Sequence, residues 1–526
     1  MLQNYRALAP SSYQRITFGL SRARDLLWPA VLFLGLLLRL VVYLQNRSLF
    51  LDEANLARNI AEISLADCFA PLRYQQYAPP LFLVLEKINF LLAGASEYSL
   101  RFWPLIMGGL ALLILYDLLR QLSEKSWAGL FVFYLFACSQ VFIRYSAELK
   151  QYSTDMAVTS TLVWLALRYR PTTGKRIALW ILAGSLAIWL SMPSVFVLTG
   201  VGLYFGYLGL KDQQNIPVAA LLLIGTIWLL NFGLYFWLIL ANDLQKPDLL
   251  SYHQPYFWPL LPTSGADWAR LSGLAQSLLG TLSGHTFPAI VLSLSGLVAG
   301  TIYLGKKRPA LLWLLIGPIV ACLIASGLGR YSLIERLTLF LMPLPGVLLA
   351  FGLNFLVQYV GRWGQLVLLI FGLLILPLRK GPEYLVYPFR YEEMRSLLAE
   401  LREQLRAGDL LWIDLYAYPA FYWYTQHAPE AASLRPEQIS GSVVHQWDGD
   451  PWEELSGQIT ADGRVWMIFS HLVSDRNRRE MREDLESVSA QLGPVEREIR
   501  QTGVAAFGFA EERPATPEHQ SPDRTH

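Results

Sequence analysis

Residues 26–44 read LLWPAVLFLGLLLRLVVYL, an apolar run long enough to cross a bilayer as one helix. Arg15, Arg22 and Arg24 precede the run and no small-residue cleavage pattern ends it, so we expect a retained membrane helix and not a removed signal peptide. The whole chain has the same character, because 54% of its 526 residues are hydrophobic and only 16% are charged. That composition is too apolar for an ordinary soluble enzyme, and it predicts a multi-pass membrane protein.

Similar apolar runs recur along the chain. Eleven are near bilayer thickness, at about 28–45, 102–119, 127–143, 155–169, 177–191, 193–210, 217–241, 287–304, 310–328, 337–358 and 363–378. A twelfth run, residues 81–94, is shorter and contains Glu86 and Lys87, so we expect it to be only partly inserted. We therefore predict an all-α polytopic membrane bundle with about 11–13 transmembrane helices over residues 1–379.

The basic residues predict the orientation of this bundle. They cluster in the N-terminal segment and around residues 120, 168, 211 and 306, and positive loops stay on the cytoplasmic side. If residues 81–94 do not cross, all these clusters share one face. The loops 46–101, 144–154 and 242–286 are then exoplasmic.

The chain changes character from about residue 380. YEEMRSLLAELREQL has apolar residues at helical spacing, whereas GDLLWIDLY, RVWMIFSH and VAAFGFA are typical of strands, with a polar helix near 475–492 between the last two. We predict a small soluble α/β domain over residues 380–511 and a disordered polar tail over residues 512–526.

Charge and cysteine content exclude several classes of function. The 43 basic and 41 acidic residues give a net charge of +2, so nothing in the balance suggests a nucleic-acid partner. The three cysteines cannot form a disulfide framework and lack metal-ligand spacing.

Two adjacent acids follow the first membrane helix. In SLFLDEANLARN, residues 48–59, Asp52 and Glu53 open a segment whose apolar residues fall on one face, which predicts an amphipathic helix on the membrane surface. Acids at a helix start also serve as caps or complement the helix dipole. Acids this close to lipid are otherwise functional, so both interpretations stay open.

A second charged loop lies on the same predicted face. RYSAELKQYSTD, residues 144–155, combines four charges with two tyrosines. The residues are Arg144, Tyr145, Glu148, Lys150, Tyr152 and Asp155. They either anchor helix ends at the interface or, with Asp52 and Glu53, form a charged pocket.

At these residues the sequence resembles the GT-C superfamily of polytopic glycosyltransferases, in particular protein O-mannosyltransferases and lipid A aminoarabinose transferases (family 39-like). The matching segments occur in the family's order over roughly the first third of the chain. They are LDEA (51–54), YAPPL (77–81), SEYSLRFWPLIMGGLALLILYDLLRQL (96–122) and RYSAELKQYSTD (144–155). The resemblance implies transfer of a sugar from a polyprenyl-phosphate donor to an exoplasmic lipid, glycan or protein hydroxyl.

The resemblance also implies which acids act. Asp52 takes the role of general base, and Glu53 that of a supporting acid or metal partner. The second acid falls in the loop where this chain has Asp155 and Glu148. A divalent metal ion held by Asp52, Glu53 and Asp155 is the one cofactor we consider, since oxygen ligands suit hard cations.

The departing lipid phosphate gathers negative charge, which cations stabilise. The candidates are Arg101, Arg336 and Lys150, and the alternative for each is snorkelling to lipid headgroups. Tyr77, Tyr145, Tyr152 and His253 are expected to line the substrate pocket, although a lone histidine among aromatics is also typical of interfacial packing.

The strongest competing function is a transporter or flippase of a lipid-linked substrate. Transporters place such charges near the bilayer midplane, often with internal symmetry, whereas these acids lie in loops and no repeat is visible. A scaffold in which the charges only anchor helix ends is the third option. For the enzyme we expect a bacterial inner or plasma membrane, an exoplasmic active site, and membrane lipids as neighbours.

Overall fold

The computed structural model describes residues 12–211, 216–243, 251–360, 381–406, 408–432, 441–444, 450–459 and 464–509. The predicted span at 363–378 and the predicted tail at 512–526 lie outside the described residues. In chain order the helices are α1 (Ser12–Leu44), α2 (Leu51–Glu62), α3 (Pro80–Ala93), α4 (Glu97–Leu122), α5 (Trp127–Cys138), α6 (Gln140–Arg144), α7 (Tyr152–Arg168), α8 (Gly174–Leu190), α9 (Ser194–Lys211), α10 (Val218–Tyr235), α11 (Ala241–Asp243), α12 (Gly265–Ser283), α13 (Phe287–Lys307), α14 (Pro309–Gly327), α15 (Pro343–Val360), α16 (Met394–Gln404), α17 (Tyr418–Tyr422), α18 (Pro429–Ala432), α19 (Pro451–Ser456) and α20 (Asp475–Leu492).

The described residues confirm a multi-pass helical architecture. Six helices are long and apolar enough to cross a membrane, or eight if two bent helix pairs each count as one span. One bent pair joins α5 to residues 140–147 at 49°, and the other joins Glu335–Leu341 to α15 at 61°. Ten of the eleven predicted apolar runs coincide with these described helices or with α7 and α8, which have 17 residues each. The run at 81–94 forms the 14-residue helix α3, which is shorter than a span.

The chain divides into two compact units. Unit 1 contains Met1–Gln45, Ser64–Glu86 and Arg101–Pro388, and unit 2 contains Asn46–Ile63, Lys87–Leu100 and Phe389–His526. Asp52 and Glu53 thus belong to the same unit as the C-terminal sheet, whereas the second charged loop belongs to unit 1.

Glycine residues allow helices of unit 1 to approach each other closely. A Cβ added at Gly352 of α15 would overlap the backbone of Gly296 and Gly300 on α13. Gly200 of α9 lies in the same way against Pro318 and Gly317 of α14. Lipid offers no hydrophobic drive for helix association, so backbones that approach closely through glycine provide the packing contacts that hold such a bundle.

Unit 2 is built around a five-stranded sheet. Its strands are β1 (Leu410–Ile413), β2 (Gly441–Val444), β3 (Val465–Phe469), β4 (Val495–Gln501) and β5 (Val504–Phe509), in the order β2-β1-β3-β5-β4. β1 pairs in parallel with β2 and β3, and β5 pairs antiparallel with β3 and β4. Alternate residues such as Trp412, Met467 and Phe507 form one core with Met481 and Val488 of α20, which covers that face.

The helix predicted to lie on the membrane surface is present as α2, but its apolar residues Leu56 and Ile60 are buried by protein. Helix α2 packs against α17 and the following turn, Trp423–His427, and buries polar residues as well as apolar ones. Arg58 is 6% exposed, and its guanidinium lies 4.5 Å from the ring centroid of Tyr422 and 5.2 Å from that of Tyr418. A cation–π contact of this kind removes from solvent the face that local periodicity assigned to water.

Labelling of two engineered cysteines tests the predicted orientation. Ser264 caps α12 and Lys307 ends α13, and the 21 residues of α13 span about 30 Å. Single cysteines at these two positions are therefore expected to react with a membrane-impermeant reagent from opposite sides. Cys68, Cys138 and Cys322 are buried, so the wild type is the unlabelled control. Reaction of both positions from one side would contradict the orientation that the basic loops predict.

Candidate active site

The two adjacent acids of α2 have different surroundings within unit 2. Glu53 is fully buried, and its Oε2 lies 2.6 Å from Nη1 of Arg47 in an ion pair whose side chains are 3% and 0% exposed. Arg47 is also held between the rings of Phe50 and Phe389, with centroids 5.6 Å and 5.5 Å from its guanidinium carbon. Asp52 is partly exposed in the first turn of the helix. The pair therefore separates into a neutralised structural acid and an accessible one.

Helix α2 is held at both ends by residues of unit 2. At its C-terminus, Nζ of Lys87 donates to the carbonyl oxygens of Ile60 at 2.7 Å and Ala61 at 3.1 Å. At its N-terminus, the Leu51 amide donates to Oε2 of Glu392 at 3.0 Å. A cation at the carbonyl end and an anion at the amide end both match the helix dipole. The first turn, which carries Asp52, is thus fixed in place by long-range contacts.

The second charged loop is compact within unit 1. Lys150 is 5% exposed, and its Nζ donates to Oε1 of Gln76 at 2.7 Å, which ties the loop to the segment before α3. Glu148 accepts from Nε of Arg144 at 2.9 Å. The rings of Tyr145 and Tyr152 meet edge to face, with centroids 5.0 Å apart. Beside Gln76, the hydroxyl of Tyr77 is hydrogen-bonded to that of Tyr235.

Asp155, the last residue of the second charged loop, lies in the first turn of α7 and is 6% exposed. Its carboxylate lies beside the hydroxyl of Ser191 and near the phenols of Tyr77 and Tyr331. Among the described residues, no group meets hydrogen-bond geometry at its Oδ1. Buried polar atoms normally have partners, so this group is poised to accept hydrogen bonds from a bound molecule or water.

The predicted cations occupy different environments in unit 1. Nη2 of Arg336 donates to the hydroxyl of Tyr252 at 3.1 Å, and the guanidinium is within electrostatic range of Tyr145. Next to Tyr252, His253 is half-buried, and desolvation followed by the positive charge of Arg336 lowers the pKa of its imidazole. Arg101 is 2% exposed in the first turns of α4.

The structure thus brings together most of the predicted residues of unit 1. Arg336 lies near Tyr145, Lys150 is bonded beside Tyr77, and Tyr77 lies near Asp155. In the part of the chain that the structure describes, no three His, Cys, Asp or Glu side chains are grouped so that they could hold a metal ion. The metal therefore stays a prediction.

Several contacting residues were missed from the sequence. Four of them, Gln76, Tyr235, Arg47 and Glu392, each bond to a predicted residue or to the helix that carries it. The fifth, His471, bonds to Glu392. Gln76 directly precedes the YAPPL segment, and this position next to a matching segment was the sequence signal that could have identified it. Glu392 and His471 lie more than 300 residues from α2, and no local pattern links them to it.

No protein-family model matches the chain, and no curated protein matches its sequence. The solved structures that match its fold include two of the same protein. They are ArnT from Cupriavidus metallidurans in the apo state, with a TM-score of 0.51 and 14% identity over 93% of this chain and 98% of that chain, and the same ArnT bound to undecaprenyl phosphate, with a TM-score of 0.50 and 14% identity over 92% and 97%. The chain therefore has the fold of ArnT, in agreement with the polytopic helical fold and the small C-terminal sheet domain that the sequence predicts.

Proposed function

We propose that this protein is an integral-membrane glycosyltransferase that takes a sugar from a polyprenyl-phosphate donor and passes it to a hydroxyl of an exoplasmic lipid, glycan or protein. The proposal rests on the different surroundings of Asp52 and Glu53. Glu53 is buried in an ion pair with Arg47, whereas Asp52 is partly exposed. The GT-C fold supports it, and one of the matching ArnT structures is bound to undecaprenyl phosphate. We place the protein in a bacterial inner or plasma membrane.

In the proposed reaction Asp52 is the general base. It takes the proton of the acceptor hydroxyl as the oxygen forms a bond to the anomeric carbon of the sugar. The bond from that carbon to the phosphate oxygen breaks, and its electron pair leaves with the polyprenyl phosphate. Glu53 supports the fold of this turn through its ion pair with Arg47.

The cations predicted from the sequence are proposed to stabilise the leaving phosphate. Lys150 is already desolvated and fixed by Gln76, and Arg336 is oriented by Tyr252. Arg101, which is 2% exposed, remains a candidate as well. Preorganised donors of this kind stabilise the charge that develops in the transition state without reorganisation. Asp155, with its unpartnered Oδ1, is proposed to bind sugar hydroxyls, and Tyr77, Tyr145 and Tyr152 to line the pocket.

Release of free undecaprenyl phosphate from undecaprenyl-phosphate-linked sugars tests this function. Purified protein in liposomes is expected to release the lipid phosphate only when an acceptor fraction from the membrane is present. A flippase would move the donor across the bilayer and leave its glycosidic bond intact. If the donor crosses the bilayer and no lipid phosphate is released, the protein is a transporter and the glycosyltransferase proposal is refuted.

Substitution of Arg336 is expected to weaken donor recognition. A guanidinium grips phosphate with two parallel donors, whereas lysine offers a point charge, so Arg336→Lys should raise the donor KM. Arg336→Ala should cost more, about 1.5–3 kcal/mol in kcat/KM, because a charge-assisted hydrogen bond is lost. Arg270→Ala, at an exposed arginine on α12, is the matched control. Equal donor dependence in all variants would mean that Arg336 anchors the helix end only.

A further inference from the structure

Glu392 is a buried carboxylate with three hydrogen-bond donors around it. Its Oε2 accepts from the Leu51 amide at 3.0 Å and the Ser470 hydroxyl at 3.1 Å. Its Oε1 lies 2.7 Å from Nδ1 of His471. An ionised carboxylate only accepts hydrogen bonds, so Nδ1 of His471 carries the proton in this contact. At 1% exposure the group is fully desolvated, and these donors compensate its charge.

One of the three donors is the first amide of the helix that carries Asp52. The first amides of a helix have no intrahelical acceptor, and Phe50 at the N-cap supplies no side-chain acceptor. Glu392 takes over that task from more than 300 residues away, with its negative charge at the positive end of the helix dipole. The turn that positions Asp52 therefore depends on a residue of the sheet domain.

His471 is fixed in an unfavourable backbone conformation. Its φ is 59°, in the left-handed region that residues other than glycine adopt uncommonly, although histidine occurs there more often than most, as asparagine and aspartate do. Its ring stacks on Tyr416 with centroids 5.6 Å apart, and this turn directs the imidazole toward Glu392. The hydrogen bond that His471 donates to Glu392 is the main cause that raises the pKa of His471, and the negative charges of Glu392, Asp52 and Asp414 add to it. Backbone strain of this kind persists where surrounding contacts impose it, often at functional sites.

We propose that Glu392 and His471 are positioning residues for Asp52, and that the C-terminal sheet domain thereby forms part of the active site. The inference rests on the proposed function of Asp52. Glu392 fixes the first turn of α2, and His471 with Ser470 fixes Glu392. Neither side chain is assigned contact with substrate. Loss of either is expected to leave Asp52 ionisable and badly oriented.

Two substitutions of His471 separate positioning from mere stability. Asparagine tolerates the left-handed conformation, and its amide N–H replaces Nδ1 as donor to Glu392, whereas glycine tolerates the conformation and donates nothing. In full-length protein, amide exchange over residues 49–54 is expected to rise about tenfold or more in His471→Gly and to stay near the wild-type rate in His471→Asn. Glu483→Gln, at an exposed position of α20, is the control. Unchanged exchange in His471→Gly would overturn the inference.

Steady-state release of undecaprenyl phosphate gives the second readout. A misplaced base lowers kcat by about 10- to 100-fold in His471→Gly while the donor KM stays within about twofold, and His471→Asn recovers most of the rate. A merely structural role would reduce the folded fraction without this split. Equal defects in the asparagine and glycine variants would refute positioning through Glu392. A wild type that releases no lipid phosphate would refute the proposed function, and the exchange result would still decide whether the pair fixes α2.

Discussion

Asp52→Asn is expected to insert and fold like the wild type and to lower kcat for sugar transfer by about 10²- to 10⁴-fold. The amide has nearly the same shape as the carboxylate but cannot accept the acceptor proton. Asp52 is not the N-cap of α2, and the amide of Leu51 at the helix start is held by Glu392. The measurement is release of undecaprenyl phosphate, normalised to folded protein.

The control for this variant is another acid in the same predicted exoplasmic stretch. Asp67 is exposed and hydrogen-bonds locally to Ser64, so Asp67→Asn should retain full turnover. Near-normal turnover in Asp52→Asn would show that Asp52 is structural. The base would then have to be sought at Asp155, whose Oδ1 has no hydrogen-bond partner among the described residues.

The membrane helices were predictable because each is specified by its own apolar run. Length and composition alone define a candidate span, so the prediction of a span depends little on tertiary contacts. Three strands of the C-terminal sheet, β1, β3 and β5, were likewise predicted because all their residues are buried and apolar. The edge strand β4 was missed since it carries Glu496, Arg497, Glu498 and Arg500, charges that suit an exposed sheet edge.

The surroundings of α2 were not predictable for a different physical reason. Its periodicity resembles that of a half-exposed helix, yet Arg58 is buried under Tyr418 and Tyr422 from the far end of the chain. Contacts between residues more than 300 positions apart cannot be recognised from the local sequence pattern. The same limit applies to the acids, since LDEA alone does not say which carboxylate is neutralised. Arg47 decides that, and no local pattern pairs it with Glu53.

The ion pair of Arg47 and Glu53 predicts the largest effect on stability. Removing one partner leaves the other charge buried without compensation, which typically costs about 3–5 kcal/mol, so Glu53→Leu and Arg47→Met are each expected to lower the unfolding free energy by that amount. The double variant replaces the pair with apolar side chains in a site already lined by Phe50 and Phe389. It should therefore lose much less than the sum of the two single changes. Denaturant unfolding of the three variants in detergent measures this coupling.

The double variant also separates the two roles considered for Glu53. If Glu53 only shapes the turn, the Arg47→Met, Glu53→Leu protein should keep turnover within about tenfold of the wild type, because Asp52 and its anchor at Glu392 remain. If Glu53 supports catalysis or binds a metal, turnover should fall as far as in Asp52→Asn even though the fold is recovered. If the stability loss of the double variant equals the sum of the two single losses, Arg47 and Glu53 contribute independently. That result would show that their ion pair does not stabilise the fold. Recovered stability with retained turnover would leave Asp52 as the single acid of the pair that acts on the substrate.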